Sequence, residues 1–315
     1  MNVSIREMAE KFMDYDEYRI VYHIRPDGDC IGSAFALALG LKSIGKKCDV
    51  VGRDEVPKMY RHMTDEIELD KPENPVYVAV DAATPHRVGT YSDKHFTFCI
   101  DHHANTFDNA DYRYVEKDCG ACSEIVFKIM KEMGITITKQ MANLLYTALV
   151  TDTRCFSTSD TSVQTFETAV ELAKIGADIS DIGKRNIFMK SRQRMKIEDI
   201  LCNSFHFTCD NSILTGIITL DDLKTADIAD SELEGINSII GSVEGVKIGC
   251  TIRELPDGTS RCSMRTNGDL SANEICNIHC GGGHFHAACC ELPVSPAEAR
   301  EIIEKTCKEY LMSHR

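Results

Sequence analysis

One stretch decides the fold of this chain: His23-Ile24-Arg25-Pro26-Asp27-Gly28-Asp29-Cys30-Ile31-Gly32-Ser33. It follows an apolar, β-rich run over residues 18–22 and precedes a helical pattern over residues 31–44. His23, Asp27 and Asp29 therefore lie at the carboxyl end of a predicted strand, where ligands bind in open α/β sheets. One histidine with two carboxylates suits Mn²⁺ or a similar divalent ion. The alternative is a polar loop that caps the following helix through Asp29.

Three further segments are followed by acidic or histidine side chains. They are the strand pattern 76–80 before Asp81, the strand pattern 95–100 before Asp101, His102 and His103, and the helical pattern 141–150 before Asp152. A second strand over residues 46–52 completes a β–α–β unit, so we predict an α/β fold with a parallel sheet. In that fold these side chains form one cluster, and carboxylates at such density repel unless cations neutralise them. Two metal ions that share a bridging carboxylate fit this number of ligands better than one.

The composition excludes several classes of protein. The chain has 315 residues, of which 43% are apolar and 27% charged, as expected of a soluble globular protein with two domains. It has no run of about 20 apolar residues that could span a membrane, and its charged N-terminus is unlike a signal peptide, so we expect a cytoplasmic protein. The net charge is −14, whereas proteins that bind long duplex nucleic acid usually carry a strongly basic surface, so we do not expect this chain to bind such a ligand.

The 15 cysteines are scattered along the chain, and we expect free thiols rather than disulfides. Cys119 and Cys122 form a lone CxxC, which we interpret as a buried helix start rather than a redox motif.

The pattern predicts two domains, with the parallel sheet in residues 1–188, a linker over 189–199, and a smaller mixed α/β domain over 200–315. The linker overlaps a dense basic run over residues 184–196, which is either a solvated helix or a surface that meets a substrate backbone. Other patterns predict helices over 1–17, 123–133, 161–175, 182–188, 231–240, 272–278 and 296–311, and strands over 212–220, 246–254 and 260–266.

The C-terminal domain carries a glycine-rich loop, Gly281-Gly282-Gly283-His284. Consecutive glycines let backbone N–H groups approach a phosphate or a ribose closely, and Arg265 on the preceding strand would hold a phosphate through two hydrogen bonds. A zinc site is the alternative, although the spacings match no standard finger. Its ligands would come from Cys276, His279, Cys280, His284, His286, Cys289 and Cys290.

As a set, the motifs resemble the DHH phosphoesterase family over nearly the whole chain. In length and linker the chain resembles the branch that contains bifunctional oligoribonucleases and 3′-phosphoadenosine-5′-phosphate phosphatases. The motifs are His23-x-x-Pro26-Asp27-Gly28-Asp29-x-x-Gly32-Ser33, Asp81, Asp101-His102-His103, Thr151-Asp152-Thr153 and Gly281-Gly282-Gly283-His284.

The resemblance implies two divalent metal ions, with Mn²⁺ favoured and Mg²⁺ or Co²⁺ also compatible. The ligand sets it implies are His23, Asp27 and Asp81 for one ion, and Asp29, Asp81, His102 and Asp152 for the other. His103 would face the scissile phosphate, and Asp101 would orient the histidine pair. The C-terminal domain would be a DHH-associated domain that places Arg265 and the loop Gly281, Gly282, Gly283 and His284 over the terminal nucleotide, in a cleft between the domains.

The activity implied by the resemblance is hydrolysis by a hydroxide activated between two metal ions. The substrates would be short oligoribonucleotides, linear dinucleotides such as pApA, or 3′-phosphoadenosine 5′-phosphate. An inorganic pyrophosphatase or polyphosphatase would use the same metals, but its second domain would be rich in Lys and Arg. A RecJ-like exonuclease is disfavoured by the short, acidic chain, and a catalytically silent nucleotide-binding protein by the complete set of ligands. The sequence leaves open whether the chain forms a homodimer.

The chain departs from the family pattern around its substrate-binding motifs. Cys280 stands where the first of four glycines is usual, and Ala287-Ala288-Cys289 stands where a small residue followed by glycine is usual. Arg154, two residues after Asp152, stands where glycine is common in this branch. Its added cation would bind a second phosphate or narrow the site, so the departures concern substrate preference rather than the metal ligands.

Overall fold

The structure, a computed structural model, describes residues 2–103, 107–233 and 235–314. It divides into two compact units, Met1–Met189 and Lys190–Arg315. Among the helices of the described ranges, none is both long enough and apolar enough to cross a membrane.

The N-terminal unit is built on five parallel strands, which confirms the predicted parallel sheet. They are β1 (Glu17–Val21), β2 (Lys47–Val51), β3 (Val76–Val80), β4 (Phe96–Asp101) and β5 (Ala110–Val115). Their order in the sheet is β2-β1-β3-β4-β5, so the carboxyl ends of all five strands lie on one edge. Strand β5 was not predicted, because this partly exposed edge strand lacks the continuous apolar run of the buried strands.

The helices of this unit are α1 (Ile5–Met13), α2 (Gly28–Ser43), α3 (Arg61–Thr64), α4 (Cys122–Glu132), α5 (Lys139–Asp152), α6 (Val163–Ile175) and α7 (Ile179–Gly183). A 3₁₀ segment spans Pro85–Tyr91, and a π-helical turn spans Lys184–Phe188. The predicted helix over 1–17 is too long, because Ser4 and Glu7 form a capping box that begins α1 and the chain enters β1 at Glu17.

The core of the N-terminal unit packs α1, α2, α4 and α5 against one face of the sheet. The ring of Phe12 in α1 stacks on Phe98 in β4 with a centroid separation of 4.1 Å. Helix α2 is buried along most of its length, which explains why its sequence is apolar without a distinct polar face.

The C-terminal unit contains a mixed sheet, as predicted, and this sheet has six strands. Its strands are β6 (His206–Thr208), β7 (Ile213–Ile218), β8 (Ile248–Glu254), β9 (Ser260–Thr266), β10 (Gly282–Gly283) and β11 (Ala287–Leu292). The order is β10-β11-β9-β8-β7-β6, in which β7 and β8 are parallel and the other neighbouring pairs are antiparallel.

The helices of this unit are α8 (Arg192–Asn203), α9 (Leu220–Ala226), α10 (Asn237–Gly241), α11 (Ala272–Asn277) and α12 (Pro296–Ser313), with a 3₁₀ turn over Asp230–Glu232. The predicted helix over 231–240 is interrupted, because Gly235 adopts a left-handed backbone with φ 71°; Glu234 in that range lies outside the described residues. Helix α9 and strand β6 were not predicted, since both are short and partly exposed.

All 15 cysteines are free thiols, as predicted. Cys119 and Cys122 are buried, and Cys122 is the first residue of α4, which confirms the interpretation of the CxxC as a buried helix start.

Candidate metal centre

The loop after β1 places His23 against two carboxylates. His23 is 1% exposed, and its Nδ1 lies 2.9 Å from the carbonyl oxygen of Ile24. That contact makes Nδ1 the protonated nitrogen and directs Nε2 toward Asp27 Oδ2 at 3.2 Å and Asp81 Oδ2 at 3.5 Å. Asp27 is the N-cap of α2, and its Oδ1 accepts a hydrogen bond from the Cys30 N–H at 3.1 Å. The loop therefore also caps α2, as in the alternative interpretation, but through Asp27 rather than Asp29, and Asp27 belongs to the cluster as well.

Asp81 lies at the middle of the cluster. It directly follows β3, is 2% exposed and has a left-handed backbone with φ 56°. One carboxylate oxygen faces His23, and the other lies 3.4 Å from His102 Nε2 and 3.4 Å from His103 Nδ1. A non-glycine residue in this conformation costs on the order of 1–3 kcal/mol and is typical of functional sites.

The end of β4 supplies Asp101 and the two histidines. Asp101 is fully buried, and its carboxylate accepts hydrogen bonds from the N–H groups of Ala83 and His103 and contacts His103 Nδ1 at 2.7 Å. These contacts fix the His103 ring, as the orienting role expected of Asp101 requires. His102 Nδ1 lies 3.0 Å from the Cys119 carbonyl oxygen, so its Nε2 is the nitrogen that faces the carboxylates.

Helix α5 brings Asp152 to the same place. Its Oδ2 lies 3.5 Å from His102 Nε2, which is also 3.8 Å from Asp29 Oδ2. The approach of α2 to α5 depends on two glycines. A Cβ at Gly28 would lie 2.2 Å from Thr151 Oγ1, and one at Gly32 would lie 2.4 Å from the Leu144 carbonyl oxygen. The glycines of the opening stretch therefore let the helices that carry Asp29 and Asp152 approach closely.

Asp29 is held by donors that the sequence reasoning missed. Its Oδ2 accepts a hydrogen bond from Cys122 N at 2.6 Å, and its Oδ1 accepts bonds from Ser123 N at 3.1 Å and Ser33 Oγ at 3.0 Å. Cys122 and Ser123 form the N-terminus of α4, whose dipole favours an anion. The sequence signal for this contact is the helix start after Cys119 and Gly120, but nothing in it names Asp29 as the partner.

The electrostatics of the cluster are those of tightly packed opposite charges. Burial lowers the pKa of His102, but the contact with Asp81 and the charges of Asp81 and Asp29 outweigh burial and raise its pKa to about 11. Burial raises the pKa of Asp81, but the contacts with His102 and His23 outweigh burial and hold that pKa well below its usual range. For Asp29, burial and the charge of Asp81 together raise the pKa to about 7. The cluster therefore favours bound positive charge next to its carboxylates.

The donor set fits divalent metal ions. Three groups of side chains have ligand atoms within 4.8 Å of one another: His23 with Asp27 and Cys30, Asp81 with His102 and His103, and Asp29 with His102 and Asp152. His23 Nε2 and Asp81 Oδ1 are buried and make no hydrogen bond among the described residues. Such atoms are costly to bury unless they acquire a partner, and imidazole and carboxylate ligands suit Mn²⁺, Mg²⁺ and Co²⁺.

The predicted substrate-binding residues of the C-terminal unit lie around β9 and β11. Arg265 is in β9, and its Nη1 donates to the Met264 carbonyl oxygen at 2.8 Å. A Cβ at Gly281 would lie 2.3 Å from the Cys289 carbonyl oxygen, and one at Gly283 would lie 2.5 Å from that of Ala287. These two glycines are thus required by the neighbouring strand β11. At Gly282, the nearest atom to such a Cβ is 3.8 Å away, so this glycine has room beside it.

The contacts of the described residues do not support the alternative of a zinc site around this loop. In residues 235–314 as far as they are described, no three of the candidate sulfur and nitrogen ligands come within coordinating distance of one another. Cys276 and Cys290 are buried in the core, and His279 Nε2 is 2.9 Å from Thr306 Oγ1.

Arg154 lies in the N-terminal unit, just beyond α5. It is exposed and begins three consecutive residues with left-handed backbones, at φ 46°, 56° and 63° for Arg154, Cys155 and Phe156. Thr153 stabilises this turn, because its hydroxyl accepts from Phe156 N at 3.1 Å and its carbonyl oxygen accepts from Ser157 N at 2.8 Å. Arg154 therefore lies in a turn that is held by hydrogen bonds and begins two residues after Asp152.

Comparison with known proteins identifies the family. Residues 17–149 match the DHH family, N-terminal domain. The N-terminal unit belongs to the DHH family. The chain is 27% identical over 275 residues to the "Bifunctional oligoribonuclease and PAP phosphatase NrnA" of Thermus thermophilus, covering 85% of this chain and 82% of the relative. It is 26% identical over 165 residues to a "Probable manganese-dependent inorganic pyrophosphatase" of Enterococcus faecalis, covering 49% of this chain and 53% of that relative.

A solved structure shares the fold along nearly the full length. The crystal structure of an exopolyphosphatase-related protein from Bacteroides fragilis superposes with a TM-score of 0.88 at 24% identity, and the match covers 97% of this chain and 96% of the other. The chain is thus similar to NrnA over most of its length, and its candidate metal ligands lie within the region that matches the DHH family or, for Asp152, three residues beyond it.

Proposed function

We propose that this DHH-family protein is a Mn²⁺-dependent phosphoesterase that hydrolyses short oligoribonucleotides, linear dinucleotides such as pApA, and 3′-phosphoadenosine 5′-phosphate. The observation that carries the proposal is the cluster around Asp81, in which three histidines and several carboxylates converge on one edge of the sheet. The printed activities of the NrnA relative supply the substrate class.

His23, Asp27 and Asp81 would hold one ion, and Asp29, Asp81, His102 and Asp152 the other. Bound there, divalent ions would supply an activated water and neutralise negative charge on the phosphate. The central position of Asp81, in contact with His23 and His102, supports its assignment as the shared ligand.

The chain's own residues would position the substrate for attack. Asp101 holds His103 through Nδ1 and the backbone N–H, so the imidazole is fixed before a substrate arrives. We propose that His103 donates a hydrogen bond from Nε2 to an oxygen of the scissile phosphate, where it would stabilise the charge that develops in the transition state. Because the partner of His103 is a buried carboxylate, the ring can remain protonated in that role.

Nucleotide recognition would come from the C-terminal unit and from Arg154. Arg265, Gly282 and His284 are the proposed contacts of the terminal nucleotide, since Gly282 is the loop glycine with room beside it. Arg154, two residues after Asp152, would narrow the site beside the cleaved phosphate. A net charge of −14 disfavours long duplex substrates, so these local cations would decide which phosphates bind.

A pyrophosphatase activity is the second candidate, supported by the similarity of half the chain to the Enterococcus faecalis relative. The glycine loop and the moderate content of Lys and Arg in residues 200–315 favour a nucleoside-containing substrate instead.

The test is to measure Mn²⁺-dependent turnover of four substrates: pApA, a longer RNA, 3′-phosphoadenosine 5′-phosphate and pyrophosphate. We expect pApA or the bisphosphate to turn over fastest in the wild type, and turnover of pApA to fall by at least ~100-fold in Asp81→Asn. Exclusive cleavage of pyrophosphate would replace the proposal by the second candidate. An inactive wild type with Mn²⁺, Mg²⁺ and Co²⁺ would refute both.

A further inference from the structure

The N-terminal unit has a second feature at the edge of the sheet that carries the metal cluster. Three loops meet there, and each contains an arginine: Arg25 after β1, Arg53 after β2 and Arg87 after β3. The loops are tied together by backbone contacts. Ile24 N donates to the Arg87 carbonyl oxygen at 2.7 Å, and Arg25 N donates to Asp54 Oδ2 at 2.7 Å.

Arg25 has a left-handed backbone conformation, which is energetically unfavourable for a residue with a side chain. Its φ of 54° lies in the left-handed region, where a residue with a Cβ loses roughly 1–2 kcal/mol relative to the right-handed region. Glycine would remove that cost, yet an exposed arginine stands there, two residues from His23 and two from Asp27. Strain of this kind at the rim of a candidate site points to a function for the side chain.

The acidic groups of the same loops are already engaged. Asp54 accepts from Arg25 N and lies 3.9 Å from Arg53 Nε, and Glu55 pairs with Arg61 at 2.6 Å. Within residues 2–103, 107–233 and 235–314, no acidic side chain pairs with the guanidinium of Arg25 or Arg87. The half-buried Arg87 also has a buried Nε without a hydrogen-bond partner in those ranges. A guanidinium group without an acidic partner or a full set of hydrogen bonds favours an anionic ligand.

We propose that Arg25 and Arg87 form a subsite of the N-terminal unit for the non-scissile phosphate of the substrate. The subsite rests on the proposed phosphoesterase function and names its substrate class: nucleotides that carry a phosphate in addition to the one that is cleaved. Guanidinium groups suit this ligand, because they donate paired hydrogen bonds to phosphate oxygens. The fixed backbone of Arg25 reduces the ordering that binding requires.

The experiment compares substrates that differ by one non-scissile phosphate. The pairs are 3′-phosphoadenosine 5′-phosphate with adenosine 3′-monophosphate, and pApA with ApA, all with the full chain and Mn²⁺. The quantity measured is the ratio of kcat/KM within each pair. Since a charge-assisted hydrogen bond typically contributes about tenfold in binding, we expect Arg25→Gly and Arg87→Gln each to lower the ratio roughly tenfold.

The choice of glycine at position 25 and two control variants keep the result interpretable. Arg25→Gly suits the left-handed backbone, so a lower ratio at a Tm no lower than that of the wild type reports the lost charge rather than misfolding. Arg25→Lys keeps a cation and is expected to retain part of the ratio. Arg6→Gln removes an exposed arginine of α1 that pairs with Glu10, and it should leave the ratio unchanged.

An active wild type whose ratio is unaffected by Arg25→Gly and Arg87→Gln would overturn the subsite and leave the proposed function standing. A ratio that falls only in Arg154→Gln would also overturn it, because the second phosphate would then lie on the other loop. A wild type that cleaves none of the four substrates would refute the proposed function, and the subsite with it.

Discussion

Gly32→Ala tests how the structure brings the two helices of the metal centre together. The added methyl group would lie 2.4 Å from the Leu144 carbonyl oxygen and 2.8 Å from the Ala148 Cβ, both on α5. A backbone oxygen within a helix cannot move aside alone, so α2 and α5 must separate. Overpacking of this kind typically costs about 1–3 kcal/mol. The helix-propensity gain from Gly to Ala is about 1 kcal/mol and offsets part of it.

Gly40→Ala is the matched control, because Gly40 is also a buried residue of α2. Its added methyl group would meet the Met130 Cε at 2.6 Å, the flexible end of a side chain that can turn away. Both variants gain the same helix propensity, so their difference isolates the contact with α5. We expect Gly32→Ala to be less stable than Gly40→Ala by at least about 1 kcal/mol, which is about 2–4 °C in Tm for a unit of this size.

The assay is calorimetric unfolding of the full chain together with a Mn²⁺ titration. Separation of α2 from α5 moves Asp29 away from Asp152, so Gly32→Ala should also weaken Mn²⁺ binding relative to Gly40→Ala. If Gly32→Ala melts at or above the temperature of Gly40→Ala and binds Mn²⁺ equally well, the close approach of the helices does not position these ligands and the reasoning is refuted.

Three further variants probe the site. Ser33→Ala removes a hydroxyl donor from the buried Asp29 carboxylate and should weaken Mn²⁺ binding about tenfold by calorimetric titration. Ser43→Ala removes a hydroxyl that donates to the Gly40 carbonyl oxygen of the same helix and should leave Mn²⁺ binding unchanged, so equal affinities of the two variants would contradict the role of Ser33. Asp81→Asn should lower kcat on pApA by at least ~100-fold with an unchanged circular dichroism spectrum, and substantial residual turnover would argue against a shared ligand. Arg265→Ala should raise KM for pApA by about tenfold and have a smaller effect on bis-p-nitrophenyl phosphate; equal losses on both would make Arg265 a structural residue.

The cluster of His and Asp side chains around Asp81 could be predicted in part from the sequence because parallel strands obey a simple geometric rule. An apolar run that ends in Asp81 and another that ends in Asp101 must place both residues on one edge of the sheet. The rule does not extend to Asp152, which ends a helix, and its convergence on His102 required the close packing of α2 and α5. That packing is implied by Gly28 and Gly32 only when the partner helix is known.

The C-terminal unit was harder to predict because its glycines serve two purposes. Gly281, Gly282 and Gly283 looked alike as residues of a ligand loop, but β11 approaches two of them closely and leaves room only beside Gly282. Strand partners are long-range contacts that local patterns do not encode. For the same reason, short elements such as β6 escaped prediction, since three residues carry too little periodicity.

The structure also changes the electrostatic argument for metal ions. The density of carboxylates suggested that cations must neutralise them, yet most of these carboxylates have donors from the protein itself. Asp29 accepts from the N-terminus of α4, and Asp101 accepts from Ala83 and His103. Repulsion alone is therefore weak evidence for bound metal. The stronger evidence is the pair of buried atoms His23 Nε2 and Asp81 Oδ1. The scaffold gives hydrogen bonds to most of the carboxylates around them, but among the described residues it gives none to either of these two atoms.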